Sequence, residues 1–195
     1  MKDQQEKDHY IFPQVDWELE KFEHEGFVLD IGGGGEGVIG QLMDKDVVAI
    51  DFRKEELLEA ADGPLKIIMD ARELKFLDDS FQTASAFFSL MYIKKREDQH
   101  KVFEEISRVL KPGGKFHIWD VDLKQKPKTD QEIFIVHLKY SIGGRSKETG
   151  YGMRWPKEPR GFDDYLGMAK KTGFREVETR WVGNTFYLCL EKYQG

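Results

Sequence analysis

A single cysteine, Cys189, among 195 residues excludes an internal disulfide and a cysteine-rich zinc framework. No stretch approaches the roughly 20 consecutive apolar residues that a bilayer-crossing helix needs. The opening MKDQQEKDHY lacks the apolar core of a secretion signal. Prolines number only 6, and there is neither an internal repeat nor a low-complexity tract. Charged residues make up 34%, yet 14 Phe, 7 Tyr and 4 Trp are too many for a disordered chain. These absences leave a soluble, cytoplasmic, single-domain protein spanning residues 1–195 as the expectation, long enough to bury a substantial core.

The net charge of −6 is unevenly spread. Residues 1–110 carry 14 Lys and Arg against 25 Asp and Glu, whereas residues 111–175 carry 14 against 8. A pI near 5.5 argues against a protein that coats nucleic acid. The basic stretch suits a solvated surface, a local phosphate contact or an anionic small molecule.

Short apolar runs alternate with helix-period segments, which predicts an α/β fold with a Rossmann-like, doubly wound, mostly parallel sheet. FVLDI (27–31), VVAID (47–51), LKIIMD (65–70), the front of FQTASAFFSLMYI (81–88) and KFHIWDVD (115–122) read as its strands. RKEELLEAA continues the second as a helix with Leu57 and Leu58 facing inward. REDQHKVFEEISRVL places Val102, Phe103, Ile106, Val109 and Leu110 on one helical face, and Lys111-Pro112-Gly113-Gly114 ends it. REVETRWVG and NTFYLCLEKY, joined at Gly183-Asn184, predict a carboxyl-terminal antiparallel strand hairpin. Residues 123–160 break the alternation and read as an inserted β-hairpin on the substrate side. Residues 1–26 form an amino-terminal cap segment, either a lid or a helix on the sheet edge.

The most informative stretch runs from Val28 to Asp51. Glycines at the carboxyl end of a strand let backbone approach a ligand closely. Gly32, Gly34 and Gly37 satisfy G-x-G-x-x-G, and Asp51 stands where a ribose hydroxyl partner belongs. A nicotinamide-dependent oxidoreductase is therefore one reading. Asp30 opposes it, because a carboxylate just before the loop repels a pyrophosphate and suits an ammonium or sulfonium charge. Asp70 ends a third strand and can accept from an adenine amino group. Carboxylates at three strand ends describe a pocket for a cationic nucleoside.

The sequence resembles the class I S-adenosylmethionine-dependent methyltransferases, and within them the methyltransferase type 11 group that includes ubiquinone and menaquinone biosynthesis enzymes. VLDIGGGGEG, VVAID, IIMDARELKFLDDSF, FFSLMYI and RVLKPGGKFHIWD carry the resemblance. It implies an S-adenosyl-L-methionine cofactor, left as S-adenosyl-L-homocysteine, and methyl transfer to a small molecule; a non-catalytic cofactor-binding protein is the alternative. It further implies that Asp30, Gly32 and Gly34 hold the methionine portion. Asp51 would take the ribose hydroxyls, with Phe52 against the adenine. Asp70 and the Ala71 backbone would read the adenine edge, and the Phe87–Phe88 backbone would flank the methionyl amine. Two positions depart from the pattern: Glu36 stands where the third loop glycine belongs, and Gln82 replaces a common Asp.

Methyl transfer from a sulfonium is an in-line displacement served by alignment and desolvation. Where the acceptor must lose a proton, Tyr92, past strand four, and Asp120, at the end of strand five, are the candidate catalytic groups by topology. His137, Tyr151 and Trp155 in the inserted hairpin are the substrate-side candidates, while His117 reads as core or edge. No Asn-Pro-Pro-Tyr-like tetrapeptide follows strand four, which argues against methylation of nucleic-acid base amines. No metal-ligand spacing is present.

Overall fold

The computed structural model describes residues 9–193, so residues 1–8 of the expected cap segment lie outside the described residues. The chain runs β1 (His9–Leu19), β2 (Val28–Ile31), α1 (Val38–Met43), β3 (Val47–Asp51), α2 (Lys54–Glu59), β4 (Leu65–Ile68) and β5 (Phe81–Phe87). It continues through α3 (Arg96–Val109), β6 (Leu110–Val121), β7 (Ile133–Ile142), β8 (Arg145–Arg154), α4 (Phe162–Lys171), β9 (Phe174–Val182) and β10 (Thr185–Lys192).

Every residue of Val28–Ile31 is buried, as a central strand covered on both faces requires. It lies inside a seven-stranded sheet of order β4-β3-β2-β5-β6-β10-β9. Strands β2 to β6 run parallel to one another. The carboxyl-terminal hairpin adds β10 antiparallel to β6 and β9 antiparallel to β10, turning at Gly183 (φ 59°). From β2 the chain moves outward to β3 and β4, then returns to β5 on the other side of β2. That reversal opens a crevice at the carboxyl ends of the strands.

One face of this sheet is covered by helices. Val102, Phe103, Ile106 and Val109 of α3 and Tyr165, Met168 and Ala169 of α4 pack with Leu29, Ile31, Val48, Ile50, Phe116 and Ile118. The other face carries α1 and a second sheet of order β1-β7-β8. In β7, Phe134, Val136, Leu138 and Tyr140 are buried while the residues between them are only partly so, the period of two that one covered face demands. They join Val28, Val47, Phe87, Trp119 and Val121 of the large sheet in one core. Residues 133–154 thus belong to a layer stacked on the large sheet, not to that sheet.

The segment read as a lid or edge helix is instead the strand β1, parallel to β7. Phe12, Val15, Trp17 and Leu19 are its buried side chains. Pro13 sits at a register shift between Phe12 and Val15, so the apolar spacing slips by one and hides the alternation. Trp17 Nε1 donates to Thr185 Oγ1 at 2.9 Å, fastening this strand to β10. In α2 only Leu57 is buried; Leu58 is 71% exposed, against the inward orientation expected for both. Among the described residues, no helix is long and apolar enough to cross a membrane.

Candidate functional site

A cavity of about 930 Å³ opens at the strand-end crevice. That is the upper end of the roughly 300–1,000 Å³ usual for ligand sites, room for a nucleoside-sized molecule and a second one. Its floor is the tips of β2, β3 and β4 with the loop 32–37; its wall is the segment 87–95; its roof is Gly150–Gly152 of β8, an edge strand.

Asp30 anchors the floor. Its side chain is buried, and Ser85 Oγ, directly across on β5, donates to Oδ1 at 2.8 Å. Burial raises its pKa to about 7, opposed by the Ser85 bond and assisted by the nearby Asp51 charge. No ion pair compensates Asp30 among the described residues. Above it Gly32 has no space for a side chain: a Cβ there, at φ 71°, would stand 2.5 Å from Ser89 Cβ. The N–H groups of Gly32 and Gly33 both donate to Ile50 O, at 2.9 and 3.0 Å, tying the loop to β3.

Asp51 lines the cavity and accepts from the Arg53 backbone N–H at 2.9 Å. Next to it Phe52 is 71% exposed, an aromatic face turned outward at the cavity wall. Asp70 also lines the cavity, but Arg72 already forks onto it, with Nη2 2.6 Å from Oδ2 and Nε bonded as well. These hydrogen bonds from Arg72 hold its carboxyl below the ordinary carboxylate range. Its expected bond to an adenine amino group must share the carboxylate with that pair, while Ala71 beside it is open to the cavity.

Phe87 and Phe88 lie at the end of β5. Phe88 holds φ 48°, a conformation costing a bulky residue about 1–3 kcal/mol. Its ring stacks on Tyr151 (5.1 Å, 4°) and its N–H donates to Trp119 O at 2.8 Å. The wall beyond is pinned from beneath. Met91 N–H donates to Asp120 Oδ2 at 3.0 Å, Arg160 Nη2 to Met91 O at 2.6 Å, and Ser89 Oγ to Ile31 O at 2.6 Å.

The catalytic and substrate candidates separate sharply. Tyr92 and Tyr151 line the cavity. Burial pushes the Tyr92 phenol up to about 12, against a backbone hydrogen bond from Gly152, so the phenol is held protonated at neutral pH. Asp120 does not line the cavity: fully buried, it accepts from Met91 N–H and from Tyr165 Oη at 3.1 Å, and it positions the wall. His137 points away on the outer side of β7, 3.8 Å from Glu148. Trp155 packs between Tyr10, Phe12 and Phe134, outside the cavity.

Sequence reasoning missed Ser85, Arg72 and Arg160, and it read Glu36 only as a departure. Glu36 lines the cavity and bridges loop to roof, accepting from Thr149 Oγ1 and hydrogen-bonded to Tyr151. A carboxylate inside a glycine loop was the visible signal. His117, by contrast, is buried between Phe22 and Tyr187 and depressed to about 3 by burial, in keeping with a core role.

Residues 29–118 match a family model described as a methyltransferase domain. The sterol 4-C-methyltransferase strm-1 of Caenorhabditis elegans is 32% identical over 127 residues, covering 64% of this chain and 37% of that protein. The chain therefore spans little more than a third of the length of that relative. A crystal structure of an S-adenosylmethionine-dependent methyltransferase from Methanosarcina mazei shares the fold with a TM-score of 0.66 at 15% identity, covering 91% of this chain and 100% of that one. The [4+2]-cyclase SpnF shares it as well, with a TM-score of 0.62 at 18% identity over 89% of this chain and 77% of that one. The fold alone therefore does not dictate the reaction.

Proposed function

We propose that this chain, whose residues 29–118 match a methyltransferase-domain model, is a class I S-adenosylmethionine-dependent methyltransferase that transfers a methyl group to a small-molecule acceptor. The observation that carries this reading is Asp30, a buried carboxylate facing the cavity with no ion-pair partner among the described residues. A buried anion is costly until a cation reaches it, and the methionyl end of the cofactor brings an ammonium and a sulfonium. A nicotinamide dinucleotide would instead bring a pyrophosphate towards that charge.

Bound there, S-adenosylmethionine supplies an electrophilic methyl on its sulfonium sulfur. Asp51 takes the ribose hydroxyls and Phe52 offers its exposed ring to the adenine. Asp70, Ala71 and the Phe87–Phe88 backbone border the nucleoside and the amine. The tight loop over Asp30 and the buried contacts of Asp120 and Arg160 fix the wall, so alignment is built into the resting fold. Tyr151 and Tyr92 close the acceptor side under the β8 edge. The sterol named for the nematode relative is the first acceptor class to test.

Titration calorimetry decides the cofactor. S-adenosylhomocysteine should bind and raise the melting temperature, by a few kcal/mol of stabilisation when its concentration far exceeds Kd; NAD should do neither. A folded protein that binds neither the methyl donor nor its demethylated product would end this reading. Labelled-methyl turnover on sterols and on a metabolite extract then separates an enzyme from a silent binding protein.

A further inference from the structure

The roof strand β8 is the free edge of the small sheet, and its polar ties run to the glycine loop and the helix behind it. Glu36 of the loop makes two of them: its carboxylate accepts from Thr149 Oγ1 and from the Tyr151 hydroxyl. Gln41 of α1 adds another, since Lys147 Nζ donates to its Oε1 at 2.6 Å. Its Nε2 donates back to Glu36 O and to Tyr140 Oη. Lys147, Thr149 and Tyr151 alternate along β8 and so share one face of it. Tyr151 joins all sides of the cavity: its backbone is roof, its hydroxyl meets the loop, and its ring stacks on Phe88 of the wall. Glu36 stands between Gly35 (φ 58°) and Gly37 (φ 54°), two left-handed residues that leave the loop free of Cβ atoms on either side of it. Among the carboxylates of the cavity, Glu56, Asp70 and Asp98 are paired with arginines. Glu36 has no ion pair among the described residues and, unlike the buried Asp30, is exposed and able to turn into water.

We propose that Glu36 is a positioning residue that latches the roof strand to the glycine loop, and that this latch holds more firmly over S-adenosylmethionine than over S-adenosylhomocysteine. The second half rests on the methyl-transfer reading above; the latch itself does not. Latched, the Glu36 carboxylate lines the cavity beneath β8; released, it turns to solvent and the strand edge is freed. A ligand can shift that balance only by interacting differently with the two arrangements. A positive charge inside the cavity does so, because it attracts the carboxylate only while that group faces inward. Both ligands carry the methionyl ammonium, so the sulfonium alone distinguishes them. After methyl transfer the electron pair of the broken bond stays on sulfur, a neutral thioether remains, and that attraction is gone. The roof is thus held while the methyl group is available and loosens once it has left, which eases exit of the products. Thr149 and Tyr151 carry the pull to β8, and the stack of Tyr151 on Phe88 passes it to the wall.

Amide hydrogen exchange of the full chain, followed by mass spectrometry over Arg145–Arg154, tests both halves. With no ligand added, Glu36→Ala should speed exchange in that strand by about tenfold, because two charge-assisted hydrogen bonds no longer hold its edge, while β10 exchanges as in the parent. Tyr151→Phe, which removes one of those bonds from the roof side, should speed it by about threefold. Glu36→Gln keeps an oxygen that accepts from both hydroxyls and should stay within about twofold of the parent. Saturating S-adenosylmethionine should slow exchange of the parent strand about threefold more than saturating S-adenosylhomocysteine does. In Glu36→Gln, which lacks the charge, the two ligands should protect equally. Parent-like exchange in both Glu36→Ala and Tyr151→Phe would overturn the latch. Equal protection of the parent by the two bound ligands, or a difference that survives in Glu36→Gln, would overturn its response to the sulfonium. A parent that binds neither ligand would remove the methyl-transfer reading and that response together, while the comparison without ligand still decides the latch.

Discussion

The floor and the roof of the cavity are built by opposite strategies. The floor is local in sequence: Asp30, the glycine loop, Asp51 and Asp70 follow one another on adjacent strand tips, and the loop bonds to the next strand through Ile50 O. The roof is assembled from distant pieces, with His9 opposite Ile133 and Ile133 opposite Arg154 in one small sheet. The floor is acidic, with Asp30 buried and the loop tightly packed at Gly32; the roof presents backbone and hydroxyl groups at a strand edge. On the proposed function the floor would hold the cofactor and the roof would face the acceptor.

That contrast is broken most severely at Gly32. Gly32→Ala adds a Cβ 2.5 Å from Ser89 Cβ at a φ of 71°. The left-handed conformation and the overpacking together should cost about 2–5 kcal/mol, measured by urea unfolding. A loss under 1 kcal/mol would mean the floor is softer than its geometry.

Asp30→Asn should separate binding from stability. The folded pKa of about 7 lies above the ordinary 3.8, so the folded state holds the proton more tightly than the unfolded chain. Asp30 therefore weakens the fold progressively as pH rises from about 4 to about 7, and its full cost is present above 7. Asparagine avoids that cost: at pH 8 the variant should be more stable than the parent by on the order of 3 kcal/mol, with the gap closing towards pH 4. It should nonetheless bind S-adenosylhomocysteine more weakly at pH 8. In the parent, affinity should fall as pH drops below 7 and Asp30 takes up a proton. Melting curves at pH 5 and 8 with paired calorimetry test both signs; equal stability at pH 8 would show that the carboxylate is already compensated.

Asp51→Ala comes next. Two charge-assisted ribose hydrogen bonds lost should weaken S-adenosylhomocysteine binding by about 1.5–3 kcal/mol. Unchanged affinity would reduce Asp51 to a turn partner of the Arg53 N–H.

The same division explains what the sequence made legible. The alternating fold, the terminal hairpin and the glycine loop were readable because strand burial and loop chemistry are encoded within a few consecutive residues. Ser85 was not, because its meaning depends on lying across from Asp30 in a neighbouring strand. Asp120 and Tyr92 stand at comparable strand ends, yet one is sealed under the wall by Met91 and Tyr165 while the other reaches the cavity. Only packing between layers separates them. β1 was misread because a proline shifted its register by one residue and disguised a strand whose partner lies more than a hundred positions away.

The smallest expected effect is at His137, and it tests how much of the roof is functional. Position along the hairpin suggests a role in the site, but strand alternation turns His137 away from the core, opposite Gly150, with only a loose 3.8 Å contact to an exposed Glu148. Exposed pairs of this kind contribute at most about 1 kcal/mol and often nothing measurable. His137→Ala should therefore change stability by no more than about 0.5 kcal/mol and leave S-adenosylhomocysteine affinity unaltered. Tyr151, two positions beyond the residue paired with Lys139's neighbour Leu138, faces inward onto Phe88, so Tyr151→Ala should loosen the wall on the same hairpin. If the histidine variant instead lost turnover with binding intact, the acceptor would extend across the outer face of the small sheet, and the roof would end farther out than the cavity drawn by Gly150–Gly152.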